Sequence, residues 1–381
     1  MKINSNPLVI DLFAGAGGLS LGASRAGFEV SCAVEIDKFA LETHATNFPK
    51  SMHLPLDIST LDGKALLSSV NLKKGKIDGL IGGPPCQGFS VIGRRSPTDL
   101  RNNLFVNFFR LVKEIRPRFF LAENVPGILN SRYDELRQDA FSLIQNDYEL
   151  LSPLIIPANE YGAPTTRTRV FFIGYDPKRY PKSLQLEDFR ELIVSDEERI
   201  RVQRALYGLP INIDSKLFKP ESAKLEINFM DYAVKDSFEE LISGKIPREV
   251  GAPNAIRDYL EFQKISGCLP TIHAPEIRER YRKLKYGQED PVSRSVKLDP
   301  NGFCPTLRAG TGPEKGSFQA VRPIHYSEPR VISPREAARL QGFPDWFVFH
   351  NTKWHSFRQI GNSVSPIVAE KLLHVIVQKM T

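Results

Sequence analysis

Apolar residues follow two alternating patterns along the first half of this chain. Continuous apolar runs at residues 8–13, 30–34, 77–81, 119–122 and 170–174 read as strands buried on both faces. Between them, residues 19–26, 39–47, 104–115 and 134–145 place apolar side chains at helical spacing. Strands and helices in turn predict a doubly wound parallel α/β sheet, with ligands beyond the carboxyl ends of its strands. From about residue 185 the alternation stops. Charged helical stretches at 187–206 and 237–242 mix with turn-rich segments at 251–254 and 299–305, so a second, smaller, irregular domain is expected. A turn at Gly361-Asn362-Ser363 and an apolar helix at 367–377 then restore the first pattern. The expected division is 1–185, 186–356 and a segment 357–381 that returns to the first domain.

A chain of 381 residues can bury a substantial core in such an arrangement. The start, Met1-Lys2-Ile3-Asn4, has no signal-peptide pattern, and no run reads as a membrane span. A reduced, cytoplasmic compartment is therefore expected. Four cysteines without paired spacing argue against a disulfide framework or zinc knuckle, and seven histidines show no metal spacing.

Net charge is +7, which permits a polyanionic partner. The excess is local: residues 301–381 hold ten basic side chains against five acidic ones. One cluster joins Arg94, Arg95, Arg101, Arg110, Lys113, Arg116 and Arg118. A second joins Arg278, Arg280, Arg282, Lys283 and Lys285, interleaved with Tyr281 and Tyr286. Each has the composition of a phosphate-contacting surface.

Two segments carry candidate chemistry. Gly82-Gly83-Pro84-Pro85-Cys86-Gln87-Gly88 follows the third apolar run. Two prolines restrict the backbone just before the thiol, so Cys86 sits on a stiff turn at a strand end, the setting of a nucleophile. The other segment, Phe13-Ala14-Gly15-Ala16-Gly17-Gly18, joins the first strand to the first helix. Its glycines allow close approach of a ligand. Glu35 follows the second strand where an acid takes ribose hydroxyls, and Asp57 lies beyond a third. A dinucleotide fingerprint needs glycine where Ser20 stands, so an adenosyl ligand without pyrophosphate is the better reading.

Taken in order, Phe13–Gly18, Glu35, Asp57, Pro84-Pro85-Cys86-Gln87, Glu123-Asn124-Val125, Arg167-Thr168-Arg169 and Gln359-Ile360-Gly361-Asn362-Ser363-Val364 resemble the DNA (cytosine-5)-methyltransferase family. The resemblance implies a Rossmann-like S-adenosylmethionine-dependent sheet, with the variable stretch 186–356 as target-recognition domain. Its implied reaction transfers a methyl group to C5 of a flipped-out cytosine in a specific double-stranded DNA sequence, leaving S-adenosylhomocysteine. Cys86 is the implied nucleophile toward C6, with Glu123 acting on N3 and Arg167 and Arg169 near O2. Cofactor contacts are implied for Phe13, Gly15, Ala16, Gly18, Glu35, Ile36, Asp57, Ile58, Pro85, Leu104, Asn362 and Ser363. Ser90, Arg94, Arg95 and Arg101, on a closing loop at 88–102, and Thr306 and Arg308 are the expected DNA contacts. Thr165 stands where the family usually has glutamine.

A bacterial restriction–modification enzyme is expected, monomeric and nucleoid-associated. Its cognate endonuclease would act on the same sequence without a stable complex. Two alternatives are the tRNA-methylating branch, whose variable region is shorter, and a non-catalytic adenosyl-binding DNA module, against which the intact Cys86, Glu123, Arg167 and Arg169 argue.

Overall fold

The computed structural model describes residues 6–85, 103–211, 225–226, 237–244, 246–309 and 322–380. Cys86, Ser90, Arg94, Arg95 and Arg101 lie outside them, as do Gln87 and the rest of the expected closing loop.

Eight strands form one sheet: β1 (Leu8–Leu12), β2 (Glu29–Val34), β3 (Met52–Leu54), β4 (Gly79–Gly82), β5 (Phe119–Asn124), β6 (Glu149–Leu150), β7 (Leu154–Pro157) and β8 (Thr168–Tyr175). The order is β3-β2-β1-β4-β5-β8-β6, with β7 also pairing with β8. The five strands β1–β5 are parallel; β1, β2, β4 and β5 match the first four apolar runs, and β3 lies outside them. The far edge is not. There β8 runs antiparallel to β5, β6 and β7, so the wholly parallel expectation is corrected. Residues 158–167 join β7 to β8 with only a single 3₁₀ turn, Ala158–Tyr161, too little chain for a parallel crossover.

Helices α1 (Gly18–Arg25), α2 (Lys38–Asn47), α3 (Gly63–Ser69), α4 (Asn103–Ile115) and α5 (Asp134–Ser142) cover the sheet. Helix α4 buries Phe105, Phe108, Phe109, Val112 and Ile115 against it, and Phe109 meets Phe120 of β5 edge-on at 5.4 Å. The helical stretch expected at 187–206 is instead α6 (Leu186–Arg190), a 3₁₀ turn and α7 (Val202–Leu206). Capping boxes at Gln185 and Ser195 restart the chain in short pieces.

Beyond α7 come α8 (Ser237–Glu239), α9 (Pro253–Phe262), α10 (Pro275–Lys283) and α11 (Pro334–Gln341), with a two-stranded pair of β9 (Leu225–Glu226) and β10 (Lys264–Ile265). Helix α11 starts at a Ser333–Glu336 capping box and stops at Gly342, which has φ +92°. Its arginines hold the surrounding chain. Fully buried Arg335 donates to Ser266 O, Pro344 O and Phe347 O, and Arg339 pairs with Asp345 at 2.6 and 2.8 Å.

Helices α12 (Lys353–Asn362) and α13 (Pro366–Met380) return to the sheet. Residues 353–380 have the length and apolarity to cross a membrane, which the sequence reading overlooked, yet they break at 363–365 and are mostly buried inside the protein. Helix α13 lies against α1, where a Cβ on Gly22 would collide with Ala369 Cβ and come within 2.6 Å of Glu370 N. Only glycine permits that approach.

Candidate active site

A cavity of about 500 Å³ opens at the carboxyl ends of β1, β2, β4 and β5, a volume suited to a cofactor-sized ligand. Its first wall is the loop between β1 and α1. Phe13 and Gly15 hold left-handed φ values of +57° and +56°, which turn the loop sharply. A Cβ on Gly15 would meet nothing within 4 Å, so the glycine serves backbone conformation and leaves open space. Gly15 N donates to Glu35 Oε2 at 2.9 Å, and Asp37 N donates to Glu35 Oε1 at 2.8 Å. Burial raises the pKa of Glu35, and these two backbone donors oppose the rise.

The remaining expected cofactor residues line the same cavity. Ile36 is 67% exposed and offers an apolar surface, while Ala16, Gly18, Asp57, Ile58, Pro85 and Leu104 complete the walls. Asn362 and Ser363 enter from the end of α12. A Cβ on Gly18 would strike Val364 O, so the first loop and the C-terminal turn touch directly.

The cavity is also lined by Glu123, Arg167 and Arg169. Glu123 is 8% exposed, and its Oε1 lies 2.7 Å from Arg169 Nε. The contact is a close ion pair without the alignment of a hydrogen bond, since the same oxygen accepts none among the described residues. A Cβ on Gly83 would lie 2.9 Å from Glu123 Oε2, which explains the small residue one position before Pro84-Pro85.

The two arginines do different work. Arg167 precedes β8, is 4% exposed, and donates from Nη1 to Gly361 O at 2.9 Å. Its Nη2 reaches Asn362 O at 3.4 Å. Arg167 thus satisfies carbonyls at the end of α12, which have no partner within the helix.

Thr165, at the usual glutamine position, is fully buried and bridges Cys304. Thr166 N donates to Cys304 O at 2.9 Å and Cys304 N to Pro164 O at 3.0 Å. These bonds carry residues 304–309 past the arginine turn, and Arg308 and Ala309 touch Gly361. Thr306 and Arg308 are exposed on that segment.

In the first basic cluster, the described arginines are taken up within the fold. Arg110 donates to Glu114, Ile58 O and Leu61 O, Arg116 to Asp147, and Arg118 to Asp78 and Arg179 O. All three hold the fold. In the second cluster, Arg280 is likewise taken up by Asp290 at 2.6 Å. A charge run cannot tell such pairing from solvent exposure.

Sequence reasoning missed Asp37, His355 and Arg358, which line the cavity together with Gln359 of the C-terminal motif. Asp37 caps α2 through Ala40 N and pairs with Arg358 Nη1 at 2.9 Å. The ring of Phe39 stands 4.1 Å from that of His355 and 5.2 Å from that of His350. A signal existed: Arg358 and Gln359 lie one helical turn before Asn362, on the same face.

The C-5 cytosine-specific DNA methylase family matches residues 8–378 of this sequence. This chain belongs to that family. It is a DNA (cytosine-5)-methyltransferase, and the family uses S-adenosylmethionine. Among the relatives of this methylase, the type II methyltransferase M.XorII of Xanthomonas oryzae pv. oryzae is 38% identical, over 96% of this chain and 83% of its own. The type II methyltransferase M.DdeI of Desulfomicrobium norvegicum is 33% identical, over 96% and 87%. A crystal structure of a prophage-encoded protein (E. coli), described as a DNA modification methyltransferase, superposes with a TM-score of 0.86. It is 49% identical and covers 98% of this chain and 99% of its own.

Proposed function

We propose that this methylase modifies one cytosine within a specific double-stranded DNA sequence through a covalent adduct between Cys86 and C6 of a flipped-out base. The observation that carries the reading is that one cavity is lined by Gly15, Glu35, Pro85 and the Glu123–Arg169 pair. Cys86 is the residue that follows Pro85 in the chain.

The cavity fits S-adenosylmethionine: open space at Gly15, an anchored carboxylate at Glu35, an exposed apolar side chain at Ile36, and Asn362 and Ser363 in the same lining. When bound, the cofactor supplies an electrophilic methyl group. The chain's own residues prepare the base. The Cys86 thiolate adds to C6 while Glu123 delivers a proton to N3, which leaves C5 enamine-like and nucleophilic. Arg169 positions the Glu123 carboxyl. After methylation the C5 proton leaves to water, the Cys86–C6 bond breaks, and the N3 proton returns to Glu123. A stacked base shields C6, so the cytosine must leave the duplex.

Ser90, Arg94, Arg95 and Arg101 are proposed phosphate contacts on a segment that closes over the base, and Thr306 and Arg308 contacts near the flipped nucleotide. Residues 1–185 would form the catalytic domain and 186–356 the target-recognition domain, with 357–381 returning to the first. The type II relatives favour a place in a restriction–modification system. The enzyme would act as a monomer in the cytoplasm, without stable association with its endonuclease.

Duplex DNA containing 5-fluorocytosine, incubated with S-adenosylmethionine, tests the adduct, because fluorine cannot leave as a proton does. Covalent capture of DNA, lost in Cys86→Ala, is expected. Capture of RNA instead, or capture surviving in Cys86→Ala, would refute the reading.

A further inference from the structure

Behind the cofactor loop runs a buried polar chain that the methylation chemistry does not use. Asp11 on β1 and Ser20 on α1 flank the loop and are fully buried, and Ser20 Oγ lies 2.6 Å from Asp11 Oδ2. The same Oγ is 2.9 Å from His44 Nε2, and His44 Nδ1 is 2.9 Å from His53 Nε2. His44, on α2, is fully buried, whereas His53, on β3, is half-buried. The chain therefore leads from the sheet centre toward the surface. It also touches the loop, since a Cβ on Gly17 would lie 3.1 Å from His44 Cδ2.

The surroundings of Asp11 favour its neutral form. Asp11 Oδ1 has no hydrogen-bond partner among the described residues, a costly position for a carboxylate. Burial, with the nearby Glu35 charge adding to it, pushes Asp11 up to about 7. On β2, Cys32 is pushed up to about 12 and stays neutral; on α1, Ser20 is the facing polar group; β4, Gly79–Gly82, has no titratable side chain. Burial, reinforced by His53, holds His44 well below its ordinary value, so that ring is neutral and has one N–H for two polar neighbours.

Two arrangements satisfy this chain. With Asp11 ionised, His53 Nε2–H donates to His44 Nδ1, His44 Nε2–H donates to Ser20 Oγ, and the Ser20 hydroxyl donates to Asp11. When a proton enters at His53 Nδ1, each bridging proton moves one step inward. His53 is left neutral with Nδ1–H, His44 carries Nδ1–H, Ser20 donates to His44 Nε2, and Asp11 is protonated. One proton is taken up, and no other group changes charge.

We propose that Asp11, Ser20, His44 and His53 form a proton-carrying chain that sets the charge behind the cofactor loop, and that this charge tunes the cavity's preference for a cationic methyl donor over its neutral product. All four are positioning residues. The tuning rests on reading the cavity as an S-adenosylmethionine site; the chain itself does not. An ionised Asp11 adds negative charge beside Glu35, which favours a sulfonium over the corresponding sulfide. The ratio of Kd for S-adenosylhomocysteine to Kd for S-adenosylmethionine should rise by about three- to tenfold from about pH 6 to about pH 8.

Two measurements on the full-length protein test this. In ¹⁵N-histidine NMR of the ligand-free protein, neutral His44 is expected to change from Nδ1–H to Nε2–H as pH rises through about 7. Asp11→Asn should remove that switch, and so should His53→Phe, which leaves the buried groups in place if Asp11→Asn does not fold. One constant His44 tautomer would overturn the chain, as would an unaltered switch in His53→Phe. Calorimetric titration of both ligands, with Asp11→Asn cancelling the ligands' own ionisations, reads the tuning. A ratio with the same pH dependence in both proteins would overturn it. Binding of neither ligand at any pH would overturn the cofactor reading and the tuning with it, while the tautomer result still decides the chain.

Discussion

Glu123 Oε1 and Arg169 Nε stand 2.7 Å apart in the cavity wall, joining the end of β5 to the start of the antiparallel strand β8. The pair exists because β8 runs against β5, which brings Arg169 to the edge where Glu123 emerges. Glu123→Gln keeps the shape and removes the proton. Single-turnover methyl transfer is expected to slow by about 10²–10⁴-fold, with Kd for S-adenosylhomocysteine changed less than about threefold.

Arg167 should separate from Arg169 in the same assays. Arg167→Ala leaves Gly361 O and Asn362 O without their donor, loosening the turn that presents Asn362 and Ser363. KM for S-adenosylmethionine should rise about tenfold or more, and urea denaturation should show a loss of about 1–3 kcal/mol. Arg169→Ala should lower kcat with little change in that KM.

Gly22→Ala should act far from the cavity and still reach it. The added Cβ would collide with Ala369 and the backbone at Glu370, forcing α1 and α13 apart. A loss of about 1–3 kcal/mol is expected by urea denaturation. Because α13 follows the Asn362–Ser363 turn, cofactor affinity should fall as well. Gly27→Ala is a control for added volume, since a Cβ there meets nothing within 4 Å, though its φ of +100° carries its own strain.

Thiol chemistry should single out one cysteine of four. Burial pushes Cys32 and Cys268 up to about 12 and raises Cys304 as well. All three are buried and free. In the native protein near neutral pH, iodoacetamide should therefore modify Cys86 first, as peptide mass mapping would show. Rapid loss of any of the other three thiols would contradict the buried placement.

Acid should destabilise the region around α11 before most surface carboxylates titrate. Burial pulls His325 down to about 4, even though Glu336 lies 3.6 Å away. A histidine depressed in the fold is protonated more readily when unfolded. Its contribution is complete above the ordinary value near about 6.5 and is lost as pH falls toward about 4. Glu336 is buried, which raises its pKa, but Arg330 at 2.7 and 2.9 Å brings it below the ordinary range, so its contribution disappears at still lower pH. Between about pH 7 and pH 5 the His325 contribution should fall by on the order of 1–2 kcal/mol. His325→Gln should flatten that slope in urea melts.

Much of the site was legible because its residues come in short runs. Phe13–Gly18, Glu35, Pro84-Pro85 and Asn362-Ser363 follow strands or precede a helix, and local pattern places each at a strand end or turn. The apolar runs likewise marked β1, β2, β4, β5 and β8, since a strand buried on both faces has to be continuously apolar, but not the short β3. Tertiary structure decided the rest. Whether an arginine reaches solvent, a carbonyl or a carboxylate depends on partners far away in sequence: Arg167 ends at Gly361, Arg110 at Leu61, Arg339 at Tyr207. The direction of β8 depended on the length of the connection before it, and the Asp11–Ser20–His44–His53 chain on four elements meeting behind one loop. Hydrophobic periodicity records which face of an element is buried. It carries no record of which polar groups meet once the faces have closed, because hydrogen bonds and ion pairs are satisfied by geometry across the fold.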